Sequence, residues 1–199
     1  HLNAVPLISN FKSKIKNNQM KKTILSLAMV LAAGLLFAQK KTTTSAVISF
    51  DATTPIDALP KAENKTVIAS LDAKSGTIAF EAAIKSFSFS NPKIQEHFNS
   101  KGWMDSDQFA TASFKGSITN LKTVKFNKDG TYPGDVTGDL TMHGITRAID
   151  AKGTITVSGK VVVATSEFSV KLEDYKVSGG AIAAGKVAKE PTIKVVAEF

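Results

Sequence analysis

The sequence predicts an all-β protein, an antiparallel barrel or sandwich with one short helix. Apolar and polar residues alternate along most of the chain, which is typical of strands with one buried face. Clusters of turn-forming residues separate the alternating segments, and eight or nine such segments follow one another between residues 46 and 199. A helix signal occurs once, at residues 91–98.

The alternating segments are the predicted strands. Their apolar positions are Ala46, Ile48 and Phe50; Val67, Ala69 and Leu71; Ile78, Phe80, Ala82 and Ile84; Ala110, Ala112 and Phe114; Val136, Gly138, Leu140 and Met142; Ile149, Ala151, Ile155 and Val157; Val162, Ala164, Phe168 and Val170; and Ile193, Val195, Ala197 and Phe199. After Ile84 the apolar phase slips by one residue to Phe87 and Phe89, which predicts a β-bulge near Lys85-Ser86. Turn signals at residues 72–76, 127–130, 143–144 and 158–159 mark connections between strands.

The predicted helix has a clear start. Asn91 can cap it, and Pro92 suits the first helical position. Ile94 and Phe98 then share one face, and Gly102 can end the last turn. Residues 178–191 are rich in small side chains, which predicts a loop that crosses one end of the barrel.

Residues 20–38 have the pattern of a signal peptide. A charged start at residues 20–22 precedes an apolar run, and Ala38 is the small residue at which we expect cleavage. The apolar run is shorter than the roughly 20 residues that span a bilayer. We interpret residues 1–19 as sequence read through upstream of a start at Met20. Residues 39–199 are then one domain, large enough for a full hydrophobic core, and we expect a periplasmic or secreted protein.

The charge of the predicted mature domain is modest. The whole chain carries 25 Lys+Arg and 17 Asp+Glu, but five of the basic residues and none of the acidic ones lie in residues 1–38, so residues 39–199 carry 20 minus 17, or +3. Apart from Lys40-Lys41, no basic run with interleaved aromatic residues remains, and nucleic acid is not an expected partner. The absence of cysteine excludes disulfides, a thiolate site and a lipid-modified cysteine.

Residues 96–116 collect the polar side chains that an enzyme would need. His97 is the candidate base, and Ser106 or Ser113 the candidate nucleophile, but neither serine lies in a nucleophile elbow. Glu96 and His97 are adjacent on the predicted helix, so they point in different directions and cannot chelate a metal as residues four apart can. We therefore interpret these side chains as a solvated surface, and expect no catalytic residue, no metal site and no cofactor.

The inward positions alternate large and small side chains. Phe80 stands near Ala82, Ala112 near Phe114, Gly138 near Leu140, and Ala164 near Phe168. An eight-stranded barrel is either filled by its own side chains or holds one small ligand. Small inward residues leave room for a ligand, or are matched by large residues across the barrel, and the pattern alone allows both.

Four segments carry a resemblance to a known family. They are FSFSNPKIQEHFNS (87–100), DSDQFATASFKGSI (105–118), GDLTMHGITRAI (138–149) and SEFSVKLEDYKV (166–177). In these segments, and over nearly all of residues 44–199, the chain resembles the YceI-like family of secreted and periplasmic proteins. That family has an extended antiparallel barrel, similar to lipocalins, that holds an isoprenoid-type lipid.

The resemblance implies a lipocalin-like barrel of eight strands and a carrier rather than an enzyme. Its ligand would be an isoprenoid-type or other long-chain apolar lipid, taken up or delivered during transient contact with a membrane. With the resemblance, a hollow lumen is the favoured interpretation, and Phe98 and Trp103 are expected to close one of its ends. The alternative is a structural or surface interaction module with a solid core. The expected ligand-binding residues of the lumen and mouth are Phe80, Phe87, Phe89, Phe98, Trp103, Phe114, Leu140, Met142 and Phe168.

Overall fold

The computed structural model describes residues 40–199, which form one compact unit. The predicted leader, residues 20–38, and residues 1–19 lie outside this described part. The strands in it are β1 (Lys40–Asp51), β2 (Lys61–Asp72), β3 (Thr77–Ala83), β4 (Ser88–Phe89), β5 (Thr111–Ile118), β6 (Gly130–Met142), β7 (Ile145–Ser158), β8 (Val161–Ser169) and β9 (Thr192–Glu198). The helices are α1 (Pro92–Asn99) and α2 (Gly180–Ala183), and single 3₁₀ turns span Ile84–Ser86, Leu121–Thr123 and Leu172–Tyr175.

The strands close into an antiparallel barrel. Neighbours pair in the order β1-β9-β8-β7-β6-β5-β3-β2, and β2 pairs again with β1, which joins the two ends of the sheet. The two-residue strand β4 is an addition that pairs with β2 beside β3. The prediction of an eight-stranded antiparallel barrel is confirmed, and the sandwich is excluded because one continuous sheet makes the whole wall.

The strands β3 and β4 are one strand interrupted by a turn. Ile68 of β2 pairs with Glu81 of β3, and Glu63 of β2 pairs with Ser88 of β4. The partner strand therefore advances seven residues while β2 advances five, and the 3₁₀ turn Ile84–Ser86 takes up the difference. The slip in the apolar pattern near Lys85 thus corresponds to a two-residue irregularity, larger than a simple bulge.

Helix α1 begins as the sequence predicts. The Asn91 side-chain oxygen accepts a hydrogen bond from the Lys93 amide at 2.9 Å, and Pro92 occupies the first turn. The helix ends at Asn99 instead of reaching Gly102, since the Ser100 hydroxyl donates to the His97 carbonyl oxygen at 2.7 Å and ends the last turn. Phe98 is the buried residue of this helix.

Apolar residues close both ends of the barrel. At one end, here called the β5–β6 end, the connection between β5 and β6 packs Leu121, Val124 and Phe126 onto the strands. At the other, here called the helix end, Phe98 of α1 and Val187 join the main core. Residues 178–191 contain α2, and the Ala188 amide that follows it donates to the Ala52 carbonyl oxygen at 2.9 Å. The predicted loop is therefore fastened to the end of β1.

Two facing glycines let a phenylalanine ring lie flat against the barrel wall. Gly116 of β5 pairs with Gly138 of β6. A Cβ atom built on Gly138 would overlap the Lys115 carbonyl oxygen and lie 2.7 Å from the tip of the Phe114 ring. The space that a side chain would occupy here is therefore filled by backbone and by Phe114.

We expect Gly138→Ala to lower the free energy of unfolding by about 1–3 kcal/mol, because the added methyl group has to displace main chain. Gly180→Ala is the matched control, since a Cβ there meets nothing within 4 Å. Urea denaturation of both variants measures the difference. Equal midpoints for Gly138→Ala and the wild type would contradict this, since β5 and β6 would then accommodate the methyl group without loss of stability.

Tyr175 places a phenol in the core at the helix end. The residue is 2% exposed, and its hydroxyl has no hydrogen-bond partner among the described residues. Its carbonyl oxygen lies 2.9 Å from Nδ1 of His143. Burial, and after it the charge of Asp174, raise the pKa of the Tyr175 phenol above its ordinary value of 10.0, while the charge of Arg147 opposes them.

We expect Tyr175→Phe to be as stable as the wild type at neutral pH, or more stable by about 1 kcal/mol, since it removes a buried hydroxyl without a partner. Because the pKa of Tyr175 is raised in the folded state, the protonated phenol contributes to the free energy of unfolding. This contribution is complete below pH 10.0 and is lost as the pH rises through the folded pKa. The variant should therefore lose less stability than the wild type in alkaline solution. Thermal unfolding at neutral and alkaline pH measures both effects, and a clear loss of stability in the variant at neutral pH would indicate an unseen partner for the hydroxyl.

Candidate functional site

The barrel interior contains a cavity of about 140 Å³. Strands β1, β3 and β5 to β9 supply its wall, and most of the side chains that they contribute are aliphatic or aromatic. The wall residues are Ile48, Ile78, Phe80, Ala82, Phe87, Ala112, Ser113, Phe114, Ile118, Gly134, Val136, Leu140, Ile149, Ala151, Gly153, Thr154, Ile155, Ala164, Thr165, Ser166, Phe168, Ile193 and Val195. The lumen is thus hollow rather than packed solid.

The structure brings five of the nine predicted ligand-binding residues to this cavity. Phe80, Phe87, Phe114, Leu140 and Phe168 form part of its wall. Their role in binding remains a prediction, but their common location follows from the alternation that selected them. Each is large and faces inward on its strand, or directly follows the 3₁₀ turn in the case of Phe87.

The other four predicted residues lie towards the helix end. Met142 packs against the main core without lining the cavity. Phe98 is 5% exposed and is the centre of an aromatic cluster. Its ring centroid lies 5.0 Å from that of Phe89, 5.9 Å from those of Phe50 and Phe87, and 6.5 Å from that of Trp103.

This aromatic cluster separates the lumen from a second, outer pocket. The outer pocket measures about 100 Å³, and Phe89, Phe98 and Trp103 line it together with His97 and Lys186. Phe87 belongs to both the cluster and the lumen wall. The cluster therefore lies at the helix end. Phe98 and Trp103 line the outer pocket and not the lumen, and their role in closing a ligand cavity stays a prediction.

The polar side chains of residues 96–116 hold the local structure together. Ser106 is 2% exposed, and both its hydroxyl and its amide donate to the Asn99 carbonyl oxygen at 3.1 Å. Lys85 Nζ lies 2.6 Å from Asp107, and its hydrogen bond and charge lower the pKa of that carboxyl group. Within the described residues no hydrogen bond links His97 to Ser106 or to Ser113.

The described part of the chain has neither a cluster of metal ligands nor a membrane-spanning helix. Residues 40–199 contain no group of three or more His, Asp or Glu side chains placed to hold a metal ion. No helix in that range is both long enough and apolar enough to cross a bilayer.

A window opens in the barrel wall between β7 and β8. The ladder between these strands runs from Ser158↔Val161 to Gly153↔Ser166 and stops there. Beyond that point β7 pairs only with β6, and β8 pairs only with β9. The Ser166 hydroxyl donates to the Lys152 carbonyl oxygen at 2.8 Å, so a side chain takes the place of the next ladder bond.

The cavity lies directly behind this window. Ile149 and Ala151 on the β7 side and Phe168 on the β8 side all belong to the cavity wall. The 3₁₀ turn Leu172–Tyr175 forms the base of the window, since the Asp174 carbonyl oxygen accepts a hydrogen bond from Arg147 Nε on β7 at 3.3 Å. The alternating pattern had placed Ile149 and Ala151 on an inward face, but nothing in it indicated that the neighbouring strands part there.

Comparison with protein families gives a match over most of the chain. The model of the YceI-like domain matches residues 36–199. A UPF0312 protein of Pseudomonas fluorescens strain Pf-5 is 40% identical over 65 residues, which is 33% of this chain and 32% of that protein. A UPF0312 protein of strain SBW25 is 32% identical over 87 residues, 44% of this chain and 42% of that protein. Each alignment spans less than half of the relative.

Solved structures show the same fold. BcnA of Burkholderia cenocepacia superposes with a TM-score of 0.65 at 19% identity, over 77% of this chain and 96% of that one. A polyisoprenoid binding domain from Saccharophagus degradans, implicated in plant cell wall breakdown, superposes with a TM-score of 0.67 at 11% identity, over 79% and 95% of the two chains. The family match spans the whole barrel, its closing helix and the segments that carry the resemblance, and the chain belongs to the YceI-like family.

Proposed function

We propose that this protein binds an apolar ligand, an isoprenoid-type or other long-chain lipid, in the lumen of its barrel. The observation that carries the proposal is the hollow lumen, whose wall is mostly aliphatic and aromatic side chains. The description of the S. degradans neighbour as a polyisoprenoid binding domain supports the same class of ligand. Apolar ligands are held chiefly by removal of their surface from water, at about 0.8 kcal/mol for each buried methylene group.

The size of the cavity limits what it holds in the observed state. Its volume of about 140 Å³ is close to the roughly 150 Å³ of an apolar cavity that accommodates benzene. One isoprene unit has a similar number of carbon atoms, so a longer chain has to displace wall side chains or continue through the window. Phe80, Phe114 and Phe168 are the large wall residues whose rotation would lengthen the space.

A carrier or storage role follows from this binding mode. A bound chain would rarely escape into water, because each methylene adds to the cost of release. Transfer to a bilayer is different, since acyl chains are also hydrocarbon and the apolar gain largely cancels. We therefore propose exchange during transient contact with a membrane, and no catalytic step.

The A151F variant tests whether the lumen is the binding site. Ala151 lines the cavity, and a phenylalanine there would occupy much of it. We expect organic extracts of the purified wild-type protein to contain an apolar ligand by mass spectrometry. The A151F extract should contain at least about tenfold less, since the lost burial of two methylene groups alone corresponds to that factor.

The control is A148F, which adds the same ring to an exposed position on the opposite face of β7. It should retain the wild-type amount of ligand. Circular dichroism and thermal unfolding establish that both variants fold. An empty wild-type extract, together with no uptake of an apolar fluorescent probe such as N-phenylnaphthylamine, would reject the proposed function.

We also propose that the protein acts outside the cytoplasm, in the periplasm or after secretion. The support is the leader pattern of residues 20–38, which precedes the barrel domain. Peptide mapping of the exported protein by mass spectrometry should give Gln39 as the first residue, free or cyclised. An exported protein that retains residues 20–38 would contradict the proposal.

A further inference from the structure

Arg147 is the only arginine in the sequence and lies on β7 two residues from Ile149, which lines the cavity. It lies opposite Leu140 in the ladder between β6 and β7. Paired residues of antiparallel strands project from the same face of the sheet, and Leu140 lines the cavity. The Arg147 side chain therefore leaves β7 on the lumen face, two residues beyond Ile149 and towards the helix end.

The described residues anchor this guanidinium group but do not neutralise it. Its Nε atom donates to the main-chain oxygen of Asp174 at 3.3 Å. The ion pairs formed within residues 40–199 do not include Arg147. An arginine side chain has five N–H donors in a planar fork, so the donors beyond Nε remain available, and the side chain is exposed.

The position of the fork matches one part of an amphipathic ligand. A chain that lies in the lumen and continues through the window passes between Ile149 and Phe168, both of which line the cavity. Its polar end then reaches the base of the window, where Arg147 meets the 3₁₀ turn Leu172–Tyr175. The planar guanidinium group binds carboxylate and phosphate oxygens in pairs. A neutral head group would gain much less from this contact.

We propose that Arg147 binds the anionic head group, a phosphate or a carboxylate, of a ligand whose apolar chain lies in the lumen. The inference rests on the proposed function and adds to it the chemical class of the head group. It also supplies a reason for selective uptake. Since the chain gains little on leaving a bilayer for the lumen, the contact with the head group decides which lipids the barrel retains.

The test uses delipidated protein and ligands that share one chain. Farnesyl phosphate, farnesoic acid and farnesol are titrated by isothermal calorimetry into the wild type, R147Q, R147K and K152Q. K152Q is the matched control because it removes one positive charge from the same strand. The exposed Lys152 side chain projects from the outer face of the barrel, away from the lumen. Thermal unfolding of each variant reports any effect of the lost Arg147–Asp174 hydrogen bond on the fold.

We expect R147Q to weaken binding of the phosphate and the acid by about ten- to a hundredfold, the usual range for a lost charge-assisted contact, and to change farnesol binding less than about twofold. R147K should fall between R147Q and the wild type, because it keeps the charge and loses the fork. K152Q should bind all three ligands as the wild type does.

Four results would overturn the inference. Equal weakening of farnesol and farnesyl phosphate by R147Q would assign Arg147 a structural role only. Equal effects of K152Q and R147Q on the two anions would show attraction by net charge without a defined contact. Failure of the wild type to bind any of the three ligands would reject the proposed function, and the head-group site with it. Binding of farnesol without preference for the anions would reject the head-group site alone.

Discussion

Closure of the hydrogen-bond ladder is the constraint on which the other features of this protein depend. Because β2 pairs both with β3 and with β1, the inward side chains of eight strands face one another around a common axis. Phenylalanine side chains such as Phe80 and Phe168 then line the interior. Where the wall carries alanine, as at Ala151 and Ala164, no other element enters to fill the space. The cavity of about 140 Å³ is what remains.

The same ladder explains where the wall opens. Backbone groups that lose their partner within a barrel must be satisfied in another way. Where β7 and β8 part, the Ser166 hydroxyl donates to the Lys152 carbonyl oxygen, and beyond it the two strands do not pair with each other. Unpaired edges invite pairing with other chains unless charged residues blunt them. Asp150 and Lys152 on β7 and Glu167 on β8 are exposed at this opening, so it can persist without becoming a site of aggregation.

The helix end shows how a polar sequence segment can serve packing and not chemistry. The Asn91 side chain caps α1, the Ser106 hydroxyl binds the Asn99 carbonyl oxygen, and Lys85 pairs with Asp107. The bond from Ser106 fixes the main chain directly after Phe98. The aromatic cluster around that residue then separates the lumen from the outer pocket. These polar side chains thus make local hydrogen bonds and ion pairs. The described residues that line the lumen include no acidic or basic side chain.

The sequence by itself determined the class of fold, the start of the helix and the face on which each apolar residue lies. A period of two fixes which face of a strand is buried, and Asn91 followed by Pro92 fixes a helix start through local hydrogen bonding. The tertiary structure alone decided that the void lies beside Ala151, that β7 and β8 part beyond Ser166, and that Trp103 faces the outer pocket. The alternation assigns a face but neither a height along the barrel nor a strand partner. Those depend on the register between strands that are distant in sequence, and on which side chains meet across the axis after the barrel has closed.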